Sequence, residues 1–323
     1  MFQTSKPLFF ICETPLHAGS GSDLGIVDLP IQREKHTGFP KIESSSLKGA
    51  IREAVEGVFI KNATTEDEKK AAKARKNKIV EALFGPEDPN NDAHMGALGF
   101  SDARLLLFPV KSMKGVFAWV TCPKVLDQFK RDMNIVKSME NPSSTFEVSG
   151  DDYKVDTEGV CKLLNEDKSN LKINNSKSIL LEEYAFTYQA AVITVGSQSL
   201  QEWFSTNLPT EWKDKIEQDI VILSNDDFKD FVNLSTEVIT RTAIDNIKGT
   251  VKPGALFTEE FLPAESVMYS LVMASPVFKK DRGDLETADK VMAKFTDVIG
   301  TLPVMQIGGG ATLGKGIVRT KIV

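Results

Sequence analysis

Apolar and polar positions along the chain follow two periods. Residues 7–12 are a compact β-prone run that leads directly into Thr14-Pro15, with glycines at 19, 21 and 25, so a strand opening into an irregular loop is expected. From Leu47 the period changes. Leu47, Ala50, Ile51, Ala54, Val55, Val58 and Phe59 recur at three- and four-residue steps, the stripe of a helix with one buried face, and Ser44, Ser45 or Ser46 is placed to cap it. Residues 99–109 and 115–122 have the apolar, aromatic character of sheet strands. Residues 221–223, followed by Ser224-Asn225-Asp226-Asp227, predict a strand passing into a capped helix with Phe228, Phe231 and Val232 on its buried face. The segment 237–263 alternates, breaks at Asp245-Asn246 and runs on through Gly249, Pro253 and Gly254, the turn chemistry of a protruding hairpin. Residues 266–274 read as a strand and 285–299 as an amphipathic helix ended by Gly300. A short strand at 304–307 then delivers a glycine run. Interleaving of this kind favours an α+β sandwich over a doubly wound parallel sheet.

Three stretches interrupt the pattern. Residues 61–80 are rich in alanine and lysine, with seven basic and three acidic side chains, and read as a solvated helix face. Residues 85–96 read as a mobile loop. The segment 139–180, rich in Ser, Asn, Asp and Lys, reads as an insertion with little core of its own.

A length of 323 residues with 41% apolar content suits one large or two ordinary domains with a substantial core. The formal charge of −6 and a pI of about 5.4 leave no general basic field, so any nucleic acid has to be held by local patches. Cys12, Cys122 and Cys161 are widely spaced and odd in number. This argues against a disulfide framework or a structural zinc site and favours reduced thiols. The apolar run near the N-terminus is interrupted by Pro7 and Glu13 and is far shorter than the roughly 20 residues of a membrane span, so a soluble cytoplasmic protein without a signal peptide is expected.

Candidate chemistry gathers in two glycine-punctuated stretches, 14–52 and 307–319, which point to a backbone lying along a phosphate chain. Gly308-Gly309-Gly310 removes three side chains in succession and lets backbone N–H groups approach a phosphate or a neighbouring backbone, with Lys315 as counter-charge. Residues 309–315 match GxxxxGK, but position 316 is glycine where a P-loop needs Ser or Thr, and only seven residues follow. A purely structural glycine turn remains the alternative. Lys48 lies in the first turn of its helix, where the free N–H groups favour an anion, and Arg52 one turn later can reach the next phosphate. Solvent-exposed bases without a ligand are the plainer alternative for both. Asp28 lies between an apolar pair and Leu29-Pro30, where no cap requires it. A single carboxylate can take part in Mg²⁺ binding if RNA phosphate and water supply the other ligands, with Asp23 and Glu34 as helpers. A turn aspartate is the plain alternative. His17, one of three histidines, can stack on RNA, act as acid or base, or be structural.

The block at 17–53, the segment 239–263 and the terminal IGGGATLGKGIVR resemble the RAMP superfamily of CRISPR proteins, most closely the repeated backbone subunit of the type III-B (Cmr) RNA-guided effector complex. The resemblance implies a single domain over 1–323 with a modified ferredoxin-like (RRM-like) palm. Inserted finger regions are expected near 61–95 and 139–180, a thumb hairpin near 237–263 and a glycine loop at 307–316. It implies that copies polymerise along guide CRISPR RNA beside other subunits of the complex, in antiviral defence. By the same resemblance His17, Ser46, Lys48, Arg52 and Gly308–Gly310 with Lys315 line the guide groove, while Arg241 to Lys248 wedge between guide and target bases. Asp28 occupies the position of the catalytic aspartate. It would help hold a divalent cation, Mg²⁺ or Mn²⁺, while a 2′-hydroxyl of the complementary target RNA attacks, with assistance from His17, Glu259 or Glu260. Two alternatives stay open: a non-cutting scaffold, and a metal-independent guide-processing nuclease using His17.

Overall fold

The first strand, Thr4–Cys12, lies inside a large sheet, antiparallel to Val267–Ala274 on one side and to Ile317–Ile322 on the other. The computed structural model describes residues 2–23, 25–60, 65, 67, 70, 78–86, 94–149, 153–173, 176–209, 211–278 and 283–323. Residues 7–12 are buried without alternation, so both faces of this strand are covered, and a continuous apolar run is what such a position demands. Phe9 meets Phe129 and Trp203 with ring centroids 6.3 and 6.0 Å apart, which places the helices Pro123–Glu140 and Leu200–Asn207 over its face. Leu8 and Phe10 point the other way by the pleat and are equally buried. The helix Ala288–Gly300 packs on the same strands and against the helix Ser44–Ile60.

Four strands form the centre of the sheet in the spatial order Ile317–Ile322, Thr4–Cys12, Val267–Ala274, Ala103–Lys111, each antiparallel to its neighbour. Beyond them the sheet continues through Phe117–Thr121, Ile220–Ile222, Val160–Leu163, Tyr184–Ala190 and Ser178–Leu181, with two parallel pairings on the way. The fold is therefore α+β with a large mixed sheet. The segment 139–180, which composition reads as short of core, contributes two of these strands and fully buries Cys161, Leu163, Leu171 and Ile179. Its many polar residues conceal a minority of apolar ones at strand spacing. Ser224 caps the helix Asn225–Leu234 by accepting the N–H of Asp227 at 3.0 Å, as its sequence predicts.

One local expectation needs correction. The helix over 44–60 begins at Ser44, so the serines at 44–46 form its first turn and do not precede it, and Lys48 falls in the second turn, not the first. Leu47 N–H closes on the Glu43 carbonyl at 2.9 Å, and Asp102 from a neighbouring loop accepts the Ser44 N–H at 2.9 Å. A carboxylate is the stronger acceptor for a helix-terminal N–H, and here it arrives from outside the local sequence.

The protruding hairpin is formed by Glu237–Arg241 and Phe257–Phe261, with Ile244 bridging Val251 further out. Asp245 Oδ1 accepts the N–H groups of Ile247 and Lys248 at 2.9 and 3.0 Å, which shapes the tip. The readings of 61–80 and 85–96 lie largely outside the described residues. Among the described residues no helix is long and apolar enough to cross a membrane.

Candidate functional site

Adjacency of the first and last strands brings the two glycine-rich stretches together. The Glu13 and Thr14 N–H groups donate to Ile317 O at 2.8 and 3.2 Å, Gly316 N–H to Pro15 O at 2.9 Å, and Gly309 N–H to His17 O at 2.8 Å. The glycines are needed for this approach. A Cβ on Gly308, at φ +82°, would lie 2.3 Å from the His17 carbonyl oxygen, and one on Gly316, at φ +71°, would lie 2.0 Å from the Ile307 oxygen. A single 3-10 turn, Ala311–Leu313, and then a strand follow the glycine run, so no phosphate-binding helix follows the GxxxxGK match.

The base of the hairpin closes the third side. Leu16 and Leu262 exchange backbone hydrogen bonds at 2.9 and 2.8 Å, and Leu29 N–H donates to Thr258 O while Glu260 N–H donates to Leu29 O, both at 3.0 Å. The strand Phe257–Phe261 is thus held between its hairpin partner and the loop that carries Asp28. Glu260 is buried and saturated: it accepts from Arg33, from Thr236 Oγ1 at 2.8 Å and from Ile31 N–H at 3.0 Å. Arg33 also reaches the carbonyls of Gly38 and Val232 and the side chain of Asn233. Glu260 acts here as a bolt between loop and hairpin.

Glu259, one residue back, pairs with Arg241 at 2.6 Å and lies 3.9 Å from His17 Nε2. His17 Nδ1 is 2.7 Å from the Glu260 carbonyl, which can only accept, so Nδ1 carries the proton. The ring rests on Phe261 at 5.6 Å and is only 12% exposed. Lys315 Nζ sits 4.8 Å above the same Phe261 ring. His17 and Lys315 therefore meet at the Phe261 ring, and Glu259 links His17 to Arg241, which lies over Phe257.

Asp28 is different in kind. Its carboxylate is exposed, yet Oδ2 accepts both the backbone N–H of Thr258 at 2.7 Å and the Thr258 hydroxyl at 2.8 Å. The same hydroxyl accepts the Asp28 N–H at 2.9 Å. The Thr258 N–H, and then its hydroxyl, hold the carboxyl below its ordinary value of 3.8, so it is ionised at neutral pH. Asp23 N–H closes the turn on Asp28 O at 2.9 Å, whereas Glu34 is engaged by Thr37 at 2.8 Å and faces Arg104 at 3.8 Å. Among the described residues no three His, Cys, Asp or Glu side chains come together to hold a metal ion. Asp28 suits a hard cation as one oxygen ligand of several.

The helix entrance is only partly as the sequence reads. Ser46 is exposed and 3.5 Å from Gln32 Nε2. Lys48 is half-buried, donates to Leu98 O at 3.1 Å, and has its pKa lowered by burial and by the nearby Arg52 charge. Arg52 pairs with Glu56 at 2.9 Å and donates to Gly85 O at 3.0 Å. Lys248 is exposed at the hairpin tip. Sequence reasoning misses Arg33, Gln32 and Thr258. Gln32 ties the loop to the helix start through Gly19 O and Glu43 N–H, and Thr258 lies 230 residues from Asp28, beyond any local pattern.

Residues 9–319 match the family model of the RAMP superfamily. The chain is 34% identical over 316 residues to the CRISPR system Cmr endoribonuclease Cmr4 of Pyrococcus furiosus, covering 96% of this chain and 92% of that one. It is 25% identical to the CRISPR system CMR subunit Cmr4 of Saccharolobus solfataricus, over 98% and 96% of the two chains. Among solved structures, oligomeric Cmr4 from Pyrococcus furiosus superposes with a TM-score of 0.63 at 27% identity, over 99% of this chain and 98% of that one. A chain of the apo type III-B Cmr-beta complex reaches a TM-score of 0.70 at 21% identity, over 100% and 98%, a likeness of fold.

Proposed function

This chain belongs to the RAMP superfamily, and from that membership we propose that it is the repeated backbone subunit of a type III-B CRISPR effector complex, holding guide RNA and cutting complementary target RNA. The observation that carries the cutting role is the Asp28 carboxylate: exposed, ionised, and fixed by Thr258 at the root of the hairpin. Both donors come from a distant strand and hold the carboxylate at the hairpin root, where the displaced nucleotide would lie.

The four-strand order with one helix in each half supports a ferredoxin-like palm, and the hairpin serves as its thumb. Ile244, Ile247, Val251 and Leu256 stand exposed along the outer hairpin, apolar surface suited to wedging against bases. Displacing one nucleotide there unstacks it and turns the adjoining 2′-hydroxyl toward in-line attack on its 3′-phosphorus, which breaks the P–O5′ bond; the 2′-hydroxyl proton passes to water, the 5′-oxygen takes one up, and the products are a 2′,3′-cyclic phosphate and a 5′-hydroxyl. Arg241, held by Glu259, stiffens the root of the wedge, and Lys248 at its tip meets phosphate. The exposed glycines at 308 and 309, with Lys315, follow the guide backbone beside Ser46, although the Gly309 N–H is already taken by the His17 carbonyl. Lys48 and Arg52 contribute less to that grip, because each already donates to protein oxygens.

Asp28 Oδ1 would hold one position of a Mg²⁺ or Mn²⁺ ion, with RNA phosphate and water completing its shell, and the bound ion supplies charge neutralisation at the reacting phosphate. The inward-turned, largely enclosed His17 ring favours a role in holding the hairpin root over one in proton transfer. Target RNA incubated with the assembled complex should yield a ladder of equally spaced products; a single product, or none, would oppose a repeated cutting subunit.

A further inference from the structure

We propose that Thr258 is a positioning residue for Asp28, fixing one carboxylate oxygen so that the other alone is presented to the reacting RNA. The inference rests on Asp28 being the cutting carboxylate. Both donors of Thr258 fall on the same oxygen, Oδ2, at 2.7 and 2.8 Å. Among the described residues no side chain donates to Oδ1. The Thr258 hydroxyl gives its proton to Oδ2 and accepts from the Asp28 N–H at 2.9 Å, so both of its directions are used and its rotamer is locked.

This small ring of hydrogen bonds lets an exposed carboxylate behave as a fixed one. A solvated aspartate in an irregular loop samples several rotamers and presents either oxygen, whereas catalysis needs its ligand atom held within a fraction of an ångström. The restraint comes from the hairpin. Leu29 N–H donates to Thr258 O and Glu260 N–H to Leu29 O, so the Asp28 loop runs beside Phe257–Phe261 as an added strand. Movement of the hairpin root therefore carries the carboxylate with it, and the wedge that displaces the nucleotide also sets the group beside the cut.

Thr258→Val keeps the shape and the backbone donor but removes the hydroxyl, and Thr258→Ser restores the hydroxyl. Both are assembled with guide RNA beside Asp28→Ala, and target affinity, assembly and single-turnover cutting at saturating complex are measured. Thr258→Val is expected to slow cutting about 10- to 100-fold with target affinity unchanged, and Thr258→Ser to recover most of that loss. In the Asp28→Ala background Thr258→Val should cost nothing further. Normal cutting by Thr258→Val overturns the proposal if Asp28→Ala is inactive; normal cutting by Asp28→Ala overturns the aspartate reading itself. If Thr258→Val fails to assemble, Thr258→Ser and Thr258→Ala decide: equal cutting by the two, with assembly intact, also overturns it.

Discussion

The backbone N–H of Gly309 donates to the carbonyl of His17 at 2.8 Å, joining the two ends of the chain into one surface. The approach is possible because Gly308 has no Cβ. Gly308→Ala is therefore expected to destabilise the protein by about 2–4 kcal/mol, combining a left-handed backbone with a steric clash. Gly314→Ala, also left-handed but with nothing within 4 Å of the added atom, should cost only about 1–2 kcal/mol. Denaturant melts of the two variants check this, and equal losses would contradict it.

Glu260 and Glu259 are neighbours with different duties. Removing the Glu260 carboxylate leaves the Arg33 charge uncompensated and the Ile31 N–H without its acceptor, while Arg33 keeps its bonds to Gly38, Val232 and Asn233, so Glu260→Ala should lose about 2–3 kcal/mol of stability. Glu259→Ala breaks a pair whose Arg241 is one-third exposed and should cost clearly less, about 1 kcal/mol. Thermal melts that rank them the other way would refute the assignment of Glu260 as the bolt.

The helix entrance should loosen in acid. Burial opposes ionisation of Asp102, but hydrogen bonds from Lys41 and Ser44 and the Lys41 and Arg104 charges outweigh it and hold its pKa below 3.8. A carboxyl lowered in the folded state adds stability above its unfolded pKa and loses it as pH falls through the folded one. Asp102→Asn should thus melt lower than the parent at pH 7, by about 1–2 kcal/mol, with the gap closing below pH ~3.8. A gap independent of pH would show that the charge is unimportant.

Much of this was legible in the residues because it is written locally. The Phe228, Phe231 and Val232 stripe behind Ser224, and the hairpin breaks at Asp245 and Gly249, are short-range signals that the structure keeps. What escaped depends on partners far along the chain: Asp102 at the Ser44 N–H, Arg33 on Glu260, Thr258 on Asp28. Lys48 shows the same limit in reverse. Its place near the helix start reads as a phosphate contact, while the Leu98 carbonyl that occupies it belongs to a strand 50 residues away.

Chelation separates the cutting mechanisms. With EDTA the assembled complex should keep guide and target RNA but stop cutting, and Mg²⁺ or Mn²⁺ should restore it. Cutting that persists in EDTA would favour the metal-independent reading built on His17.

Asp28→Asn tests the central claim most directly, since the amide oxygen can still accept from Thr258 while the charge is gone. Single-turnover cutting by complex assembled with this variant, measured beside target affinity, should fall at least about 100-fold with affinity unchanged. Cutting within about threefold of the unmodified complex would remove Asp28 from the chemistry.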